Sequence, residues 1–227
     1  MQKIITALKQ QKNNPNRVNV FLDGQFGFAV YKIVAAYLKI DQAISENSIE
    51  KLLQDDLKED CYQKALKFIA FKPRSRQEVI NRLKRYDFND ETISSIIKVL
   101  EEKKYINDID FAQNWVENRT TCKPRSKNLI RWELRNKKIS DEIIEKISDE
   151  MPTDEELVIV AAEKYSKRLT GCEKDVFFRR LAGYLMRRGF PFSIVNPVVN
   201  KTWEDLRQQK FNNEYGKEVD EWGIKDY

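Results

Sequence analysis

A chain of 227 residues with 41% hydrophobic and 34% charged residues has the composition of a folded, charge-laced protein rather than a disordered one. Its 41 lysines and arginines exceed its 36 acids, and the lack of any histidine excludes Ser-His and Cys-His nucleophiles, histidine-bound zinc and imidazole proton shuttles. With seven glycines, neither a dinucleotide-binding fingerprint nor a P-loop pattern is present. No apolar run approaches the roughly 18 residues of a membrane helix. The opening MQKIITALKQQKNNPN alternates and then turns polar, unlike a signal peptide. Cys61, Cys122 and Cys172 are widely spaced and fit reduced thiols, so a cytoplasmic protein without metal or cofactor is expected.

Taken in order, residues 3–30 predict β structure. Ile4, Thr6 and Leu8 alternate with polar neighbours, as do Val18, Val20 and Leu22, and Asn13-Asn14-Pro15-Asn16 breaks the chain between them. Asp23-Gly24 predicts a tight hairpin into Phe26, Phe28 and Val30. The expected result is a three-stranded antiparallel meander. A helix over Tyr31–Lys39 would cover its apolar face, and Asn47-x-x-Glu50 would cap a short helix from Ser48 to Leu53. The acidic stretch from Asp55 to Asp60 then reads as a hinge that closes an N-terminal extension at residue 60.

Beyond it the chain repeats itself. One ungapped offset of 51 residues aligns the segment from Pro73 to Ile96 with that from Pro124 to Ile147, matching Leu83 with Leu134, Asp90-Glu91 with Asp141-Glu142 and Ile93 with Ile144. The same offset carries Leu134, Ile139, Ile144 and Ile147 onto Leu185, Phe190, Val195 and Val198. Each unit predicts three helices. In the first (61–108), Ala65, Leu66, Phe68 and Ile69 form one apolar face that Pro73 ends; Ser75-x-x-Glu78 caps a second helix on Val79, Ile80 and Leu83, and Asn89 opens a third on Ile93, Ile96, Ile97 and Leu100. The second (109–148) copies this plan with Phe111, Ala112, Trp115 and Val116, then Ile130 and Leu134, then Ile143, Ile144 and Ile147. The third (149–210) opens at Thr153-x-x-Glu156, continues through Phe177, Leu181, Tyr184 and Leu185 to a turn at Gly189, and places Pro197 in the first turn of its last helix. The tail 211–227 is acidic and aperiodic. The fold class is therefore mainly α: tandem three-helix, helix-turn-helix-like repeats in an elongated array, preceded by a small antiparallel β meander.

The excess of positive charge falls in the first two units, which suggests a polyanionic partner. Lys127, Arg131 and Arg135 recur at i, i+4, i+8 and form one basic stripe, with Lys123 and Arg125 before it and Lys137 and Lys138 after it. The equivalent positions are Arg76, Ile80 and Lys84 in the first unit and Phe178, Ala182 and Met186 in the third, so only the middle unit carries the whole stripe. Arg74, Arg76, Arg82 and Arg85 make a secondary cluster, and Arg179, Arg180, Arg187 and Arg188 a third. A solvated face is the competing explanation for all three. Trp132 beside Arg131 could stack on an unpaired base, but its phase and the neighbouring Glu133 favour packing between repeats. Trp115, Phe111 and Phe177 read as core, and Arg119 as a brace for the inter-repeat turn.

The order Ser75-x-x-Glu78-x-x-x-x-Leu83, Tyr105-Ile106-Asn107-Asp108-x-x-Phe111-Ala112, Arg119 and Ile130-x-x-Glu133-Leu134 resembles the RecX family. Arg17-Val18-Asn19-Val20-x-x-Asp23-Gly24 is similar to the N-terminal extension of its long members, so the resemblance covers 1–205. The chain departs from the family where glycines flank the second helix of the middle repeat; here those stretches read Lys123-Pro124-Arg125 and Lys137-Lys138-Ile139. The resemblance implies a small modulator, without catalytic residues, that binds RecA filaments on single-stranded DNA. It would cap a filament end or follow the groove, lowering ATP hydrolysis, strand exchange and co-protease activity. On this reading Lys123, Arg125, Lys127, Arg131, Arg135 and Lys138 face RecA or the single strand, and a monomer without membrane contact does the work. The alternatives are a direct reader of duplex DNA through its helix-turn-helix-like units, a structural adaptor using the meander, and a nuclease, which lacks any clustered acidic metal site in the sequence.

Overall fold

The computed structural model describes the backbone of residues 2–221 and the side chains of 2–209. The chain divides into two compact units, Met1–Asn107 and Asp108–Tyr227. Four apolar clusters form separate cores, one beneath the sheet and one in each three-helix group.

The first unit opens with β1 (Gln2–Gln10), β2 (Arg17–Leu22) and β3 (Gln25–Tyr31), joined as antiparallel neighbours. Asp23 and Gly24 both take positive φ, 48° and 84°, which is what a two-residue hairpin turn demands. A fourth strand, β4 (Ala43–Ser45), pairs with β1 and makes the sheet order β3-β2-β1-β4, so the expected three-stranded meander is one strand short. The helix expected over Tyr31–Lys39 shrinks to one 3-10 turn at Val34–Tyr37. Tyr31 is held in the ladder opposite Arg17, and Lys32 N–H donates to the Asn16 carbonyl, so too few residues remain to pass helix nucleation.

The short helix and the hinge are replaced by one 25-residue helix, α1 (Glu46–Ala70), capped by Ser45, whose hydroxyl accepts from Ser48 N–H. Its first half lays Ile49 and Leu52 on the sheet's apolar face, and its second half gives Cys61 and Ala65 to the first three-helix core. The boundary drawn at residue 60 thus falls inside a continuous helix. The acids that suggested a hinge are fixed: Asp56 is buried and accepts from Tyr31 N–H at 2.6 Å and Arg17 Nη2 at 2.8 Å, and Asp60 accepts from Tyr31 Oη at 2.9 Å. Burial and Asp60 together push the Tyr31 phenol up to about 12.

α1 joins α2 (Arg76–Lys84) and α3 (Asp90–Glu102) in the first group. α1 stops at Ala70, ahead of Pro73, and the Ser75–Glu78 capping box closes in both directions. Asn89 caps α3 through Thr92 N–H. In the second unit α4 (Asp108–Glu117), α5 (Lys127–Asn136) and α6 (Asp141–Asp149) form the next group, and α7 (Asp154–Ser166), α8 (Lys174–Arg187) and α9 (Phe192–Glu221) the last. Ser126 and Ser140 cap α5 and α6 one offset beyond Ser75 and Asn89, and Thr153 and Glu156 form the second full capping box. Pro197 sits in the second turn of α9 rather than its first, where it removes the bond that an N–H would give to the Ser193 carbonyl. The aperiodic tail expected over 211–227 falls beyond the described side chains; α9 carries the backbone to Glu221, and 222–227 lie outside the described residues.

The offset is visible in the packing. Val79, Ile130 and Leu181 are fully buried, as are Leu83, Leu134 and Leu185, and Phe88, Ile139 and Phe190 close each second helix from beyond its end. The turn after that helix needs one left-handed residue each time, and the offset supplies Asp87 (φ 58°), Lys138 (φ 60°) and Gly189 (φ 87°). The glycine absent after the middle helix therefore leaves the turn intact, at a cost. A lysine in this region is strained by about 1–2 kcal/mol, less the roughly 0.5–1 kcal/mol of chain entropy that glycine forfeits. Lys138→Gly is therefore expected to raise the stability of the second unit by a few tenths to about 1 kcal/mol, read as a shift in urea midpoint at unchanged slope. A lowered midpoint would show that the ammonium makes a compensating contact.

Candidate functional site

The basic stripe lies along α5, and α6 explains where it goes. Helix starts favour acids, so α6 opens with Asp141 and Glu142 and carries Glu145 one turn on. Packed against α5, two of these acids, Asp141 and Glu145, meet the stripe. Arg135 Nε pairs with Asp141 at 2.7 Å, and that hydrogen bond raises the arginine's pKa. Arg131 donates from Nε to Ser148 Oγ at 3.0 Å and reaches Glu145 at 3.5 Å. Lys127 N–H donates to Asp154 Oδ1 at 2.7 Å, while its ammonium lies 3.4 Å from the Met151 carbonyl. The first group repeats part of this: Lys84 pairs with Asp90 one offset before Arg135 with Asp141, and Arg76 pairs with Glu101 at 2.8 Å. The stripe is thus partly a feature of the repeat, with carboxylates on one flank. Lys123 and Lys138 are exposed, with no ion-pair partner among the described residues.

Arg125 points elsewhere, into a cluster that sequence reasoning missed. Glu133 is 7% exposed. Its Oε2 accepts from Trp115 Nε1 at 2.7 Å and Arg119 Nε at 2.8 Å, and its Oε1 pairs with Arg125 Nη1. The Arg119 guanidinium also lies 4.3 Å from the Trp115 ring centre, with the Lys137 ammonium at 5.2 Å from the same ring. Burial lowers the pKa of both arginines, and for Arg125 the nearby Arg119 and Arg188 add to the effect. Arg119 therefore braces α4 against α5 within one repeat, and Trp115 is half-buried with a polar anchor rather than plain core. The signal was available: Glu133 falls between Ile130 and Leu134 on the inward side of α5, where a carboxylate needs cationic partners.

Of the secondary cluster only Arg74 and Arg82 come together, on one aromatic ring. Arg74 stacks on Phe68 at 4.0 Å; Arg82 lies 5.7 Å from that ring and 5.1 Å from Tyr86, to whose hydroxyl it donates. Arg76 is paired with Glu101, and Arg85 is exposed at the end of α2. Shifting by the repeat offset puts Phe68, Arg74 and Arg82 under Arg119, Arg125 and Glu133. The same three positions place two arginines against one aromatic ring in one group and form an ion-pair cluster in the next.

Trp132 overturns an expectation. It is 61% exposed and packs between no repeats. Ile130, Glu133 and Leu134 fix the inward side of α5, which turns the residue between them outward. Asn128 and Asn136, one turn to either side, are exposed as well.

Among the described residues no three of Cys, Asp or Glu come together to hold a metal ion, and no helix is long and apolar enough to cross a membrane. Four family models match the chain in order: the regulatory protein RecX N-terminal domain at 3–45, and the first, second and third RecX three-helix domains at 61–100, 107–146 and 153–199. Proteins named regulatory protein RecX from Bacillus pumilus and Clostridium tetani are 29% and 30% identical, over 91% and 87% of this chain and 80% and 93% of theirs. A crystal structure of regulatory protein RecX shares the fold, with a TM-score of 0.65 at 23% identity over 87% of this chain and 99% of that one. The RecX crystal structure from Lactobacillus salivarius matches with a TM-score of 0.52 at 25% identity, over 65% of this chain and 97% of that one. From the N-terminal sheet to the third group of helices, the chain belongs to the RecX family of regulatory proteins.

Proposed function

We propose that this protein is a non-enzymatic regulator of the RecA recombinase. It binds RecA filaments on single-stranded DNA and lowers their ATP hydrolysis, strand exchange and co-protease activity. The observation that carries this reading is the complete RecX series, an N-terminal domain and three three-helix domains in family order from residue 3 to residue 199. The surface assigned to the filament is the solvent side of α5, with Lys123 before it and Lys138 after it. Arg131 and Arg135 are half-exposed there, so their pairs with Glu145 and Asp141 can exchange for phosphate oxygens at little cost. Lys127 belongs to the same face, while Arg125 supports it from beneath through Glu133. Arg74, Arg76, Arg82 and Arg85 contribute at most a general positive field.

Direct reading of duplex DNA is the weaker alternative. A helix-turn-helix reader leads with its last helix, and α6 opens with Asp141 and Glu142, which repel the backbone phosphates. Sedimentation of preformed filaments separates the two readings. The protein is expected to pellet with RecA on single-stranded DNA and to stay in solution with RecA alone. Remaining in solution with filaments while binding duplex DNA would favour the second reading.

A further inference from the structure

We infer that Trp132 is a stacking platform for an unpaired nucleobase, with Arg131 and Arg135 beside it to take the adjoining phosphates. A tryptophan is normally drawn inward, and 61% exposure on a regular helix leaves a broad aromatic face in water. The position is particular to the middle repeat: the offset places Asn81 and Gly183 at the equivalent sites, while the core positions on either side match closely. The side chains that α5 sets around it are polar or cationic, with the acids Asp141 and Glu145 of α6 on the far flank of Arg131 and Arg135. Asn128 and Asn136 lie one turn before and one turn after, and both are exposed. Arg135 is one turn away and Arg131 adjacent; the acid of α5, Glu133, is buried and spent on Arg119 and Arg125. Every charged side chain that α5 shows to solvent is therefore a cation.

This composition selects the occupant. A protein-docking tryptophan sits amid apolar neighbours that seal it from water. Of the helical neighbours here, only Leu129 is apolar, and it is turned to the Gly189 bend, where a Cβ on that glycine would lie 2.9 Å from its own. Stacking on single-stranded nucleic acid needs no seal: it needs an open ring, nearby cations and polar groups able to follow base edges. In duplex DNA the base faces are already stacked, so the same surface has little to offer it. The inference deepens the regulator reading, from which it takes the single strand as the ligand present in the filament.

The test is fluorescence anisotropy of a labelled oligo(dT) of roughly 15 nucleotides with the full chain and no RecA. Trp132→Ala is expected to weaken binding about tenfold and Trp132→Phe no more than about threefold, because a smaller ring still stacks. Thermal melts of both variants should stay close to the parent, since most of the side chain lies in solvent. Replacing Arg131 and Arg135 by Gln should reduce the steepness of log affinity against log salt by about 1.4, the contribution of two phosphates on a single strand. An unchanged oligo(dT) affinity in Trp132→Ala overturns the inference, as does an equal loss on a duplex of the same length. If Trp132→Ala binds oligo(dT) normally but no longer slows RecA filaments, the ring docks on protein; the nucleobase platform is then wrong and the regulator reading survives.

Discussion

Glu133→Ala lowers the stability of the second unit by about 3–5 kcal/mol, the usual cost of leaving buried charges without their partner. The carboxylate is 7% exposed, and its arginine partners Arg119 and Arg125 expose 15% and 29% of their side chains, so water cannot fully replace it. Removing it orphans the Trp115 indole N–H and sets two guanidiniums against each other, with Arg188 close enough to add to the repulsion. Urea unfolding followed by far-ultraviolet circular dichroism measures the loss. A triple replacement, Glu133→Leu with Arg119→Met and Arg125→Met, should recover most of it, because apolar groups need no partner. A loss below about 1 kcal/mol for Glu133→Ala would mean that solvent already screens the cluster.

Gly189→Ala is the second large effect, at about 2–4 kcal/mol, combining the strain of a left-handed residue with overpacking. Its φ of 87° is one that side chains avoid, and an added Cβ would collide with Ser126 Oγ and sit 2.9 Å from Leu129 Cβ. Ser126 is also the cap of α5, and its N–H donates to the Arg188 carbonyl at 3.0 Å. The substitution therefore strains the bend after α8 and pushes the start of α5 away from it. Melting temperature and proteolytic nicking between 123 and 127 would report the two effects separately. Asp87 and Lys138 hold the equivalent turns with side chains, so a loss of only about 1 kcal/mol, a melting shift of roughly 4 °C, would place the constraint in φ alone and discard the steric part.

Much of this fold was legible because one arithmetic offset runs through it. The offset alone places Leu83, Leu134 and Leu185 in three cores, and the caps at Ser75, Asn89 and Thr153 follow from side-chain chemistry local to each helix start. What failed depends on contacts distant in sequence. The acids of 55–60 look like a solvated hinge until Tyr31 and Arg17 are brought to Asp56 from the sheet. β4 has three residues and gains its identity only from pairing with β1.

The candidate site divides in the same way. Helical spacing revealed the stripe of Lys127, Arg131 and Arg135, but it could not show that α6 would return Asp141 and Glu145 to its flank. Arg125 counted as a surface base until Glu133 drew it inward. Trp132 was assigned to packing between repeats from its phase and the neighbouring Glu133, but on α5 that phase lies opposite the buried Ile130 and Leu134 and turns the ring outward.

The most direct test of the regulator reading is the ATP hydrolysis rate of preformed filaments of a cognate RecA on single-stranded DNA while the protein is titrated in. A fall in rate is expected, at well below one protein per RecA if filament ends are the target and only near saturation if the groove is. A rate and a strand-exchange yield that stay constant to saturation would contradict it, whatever the three-helix groups themselves bind.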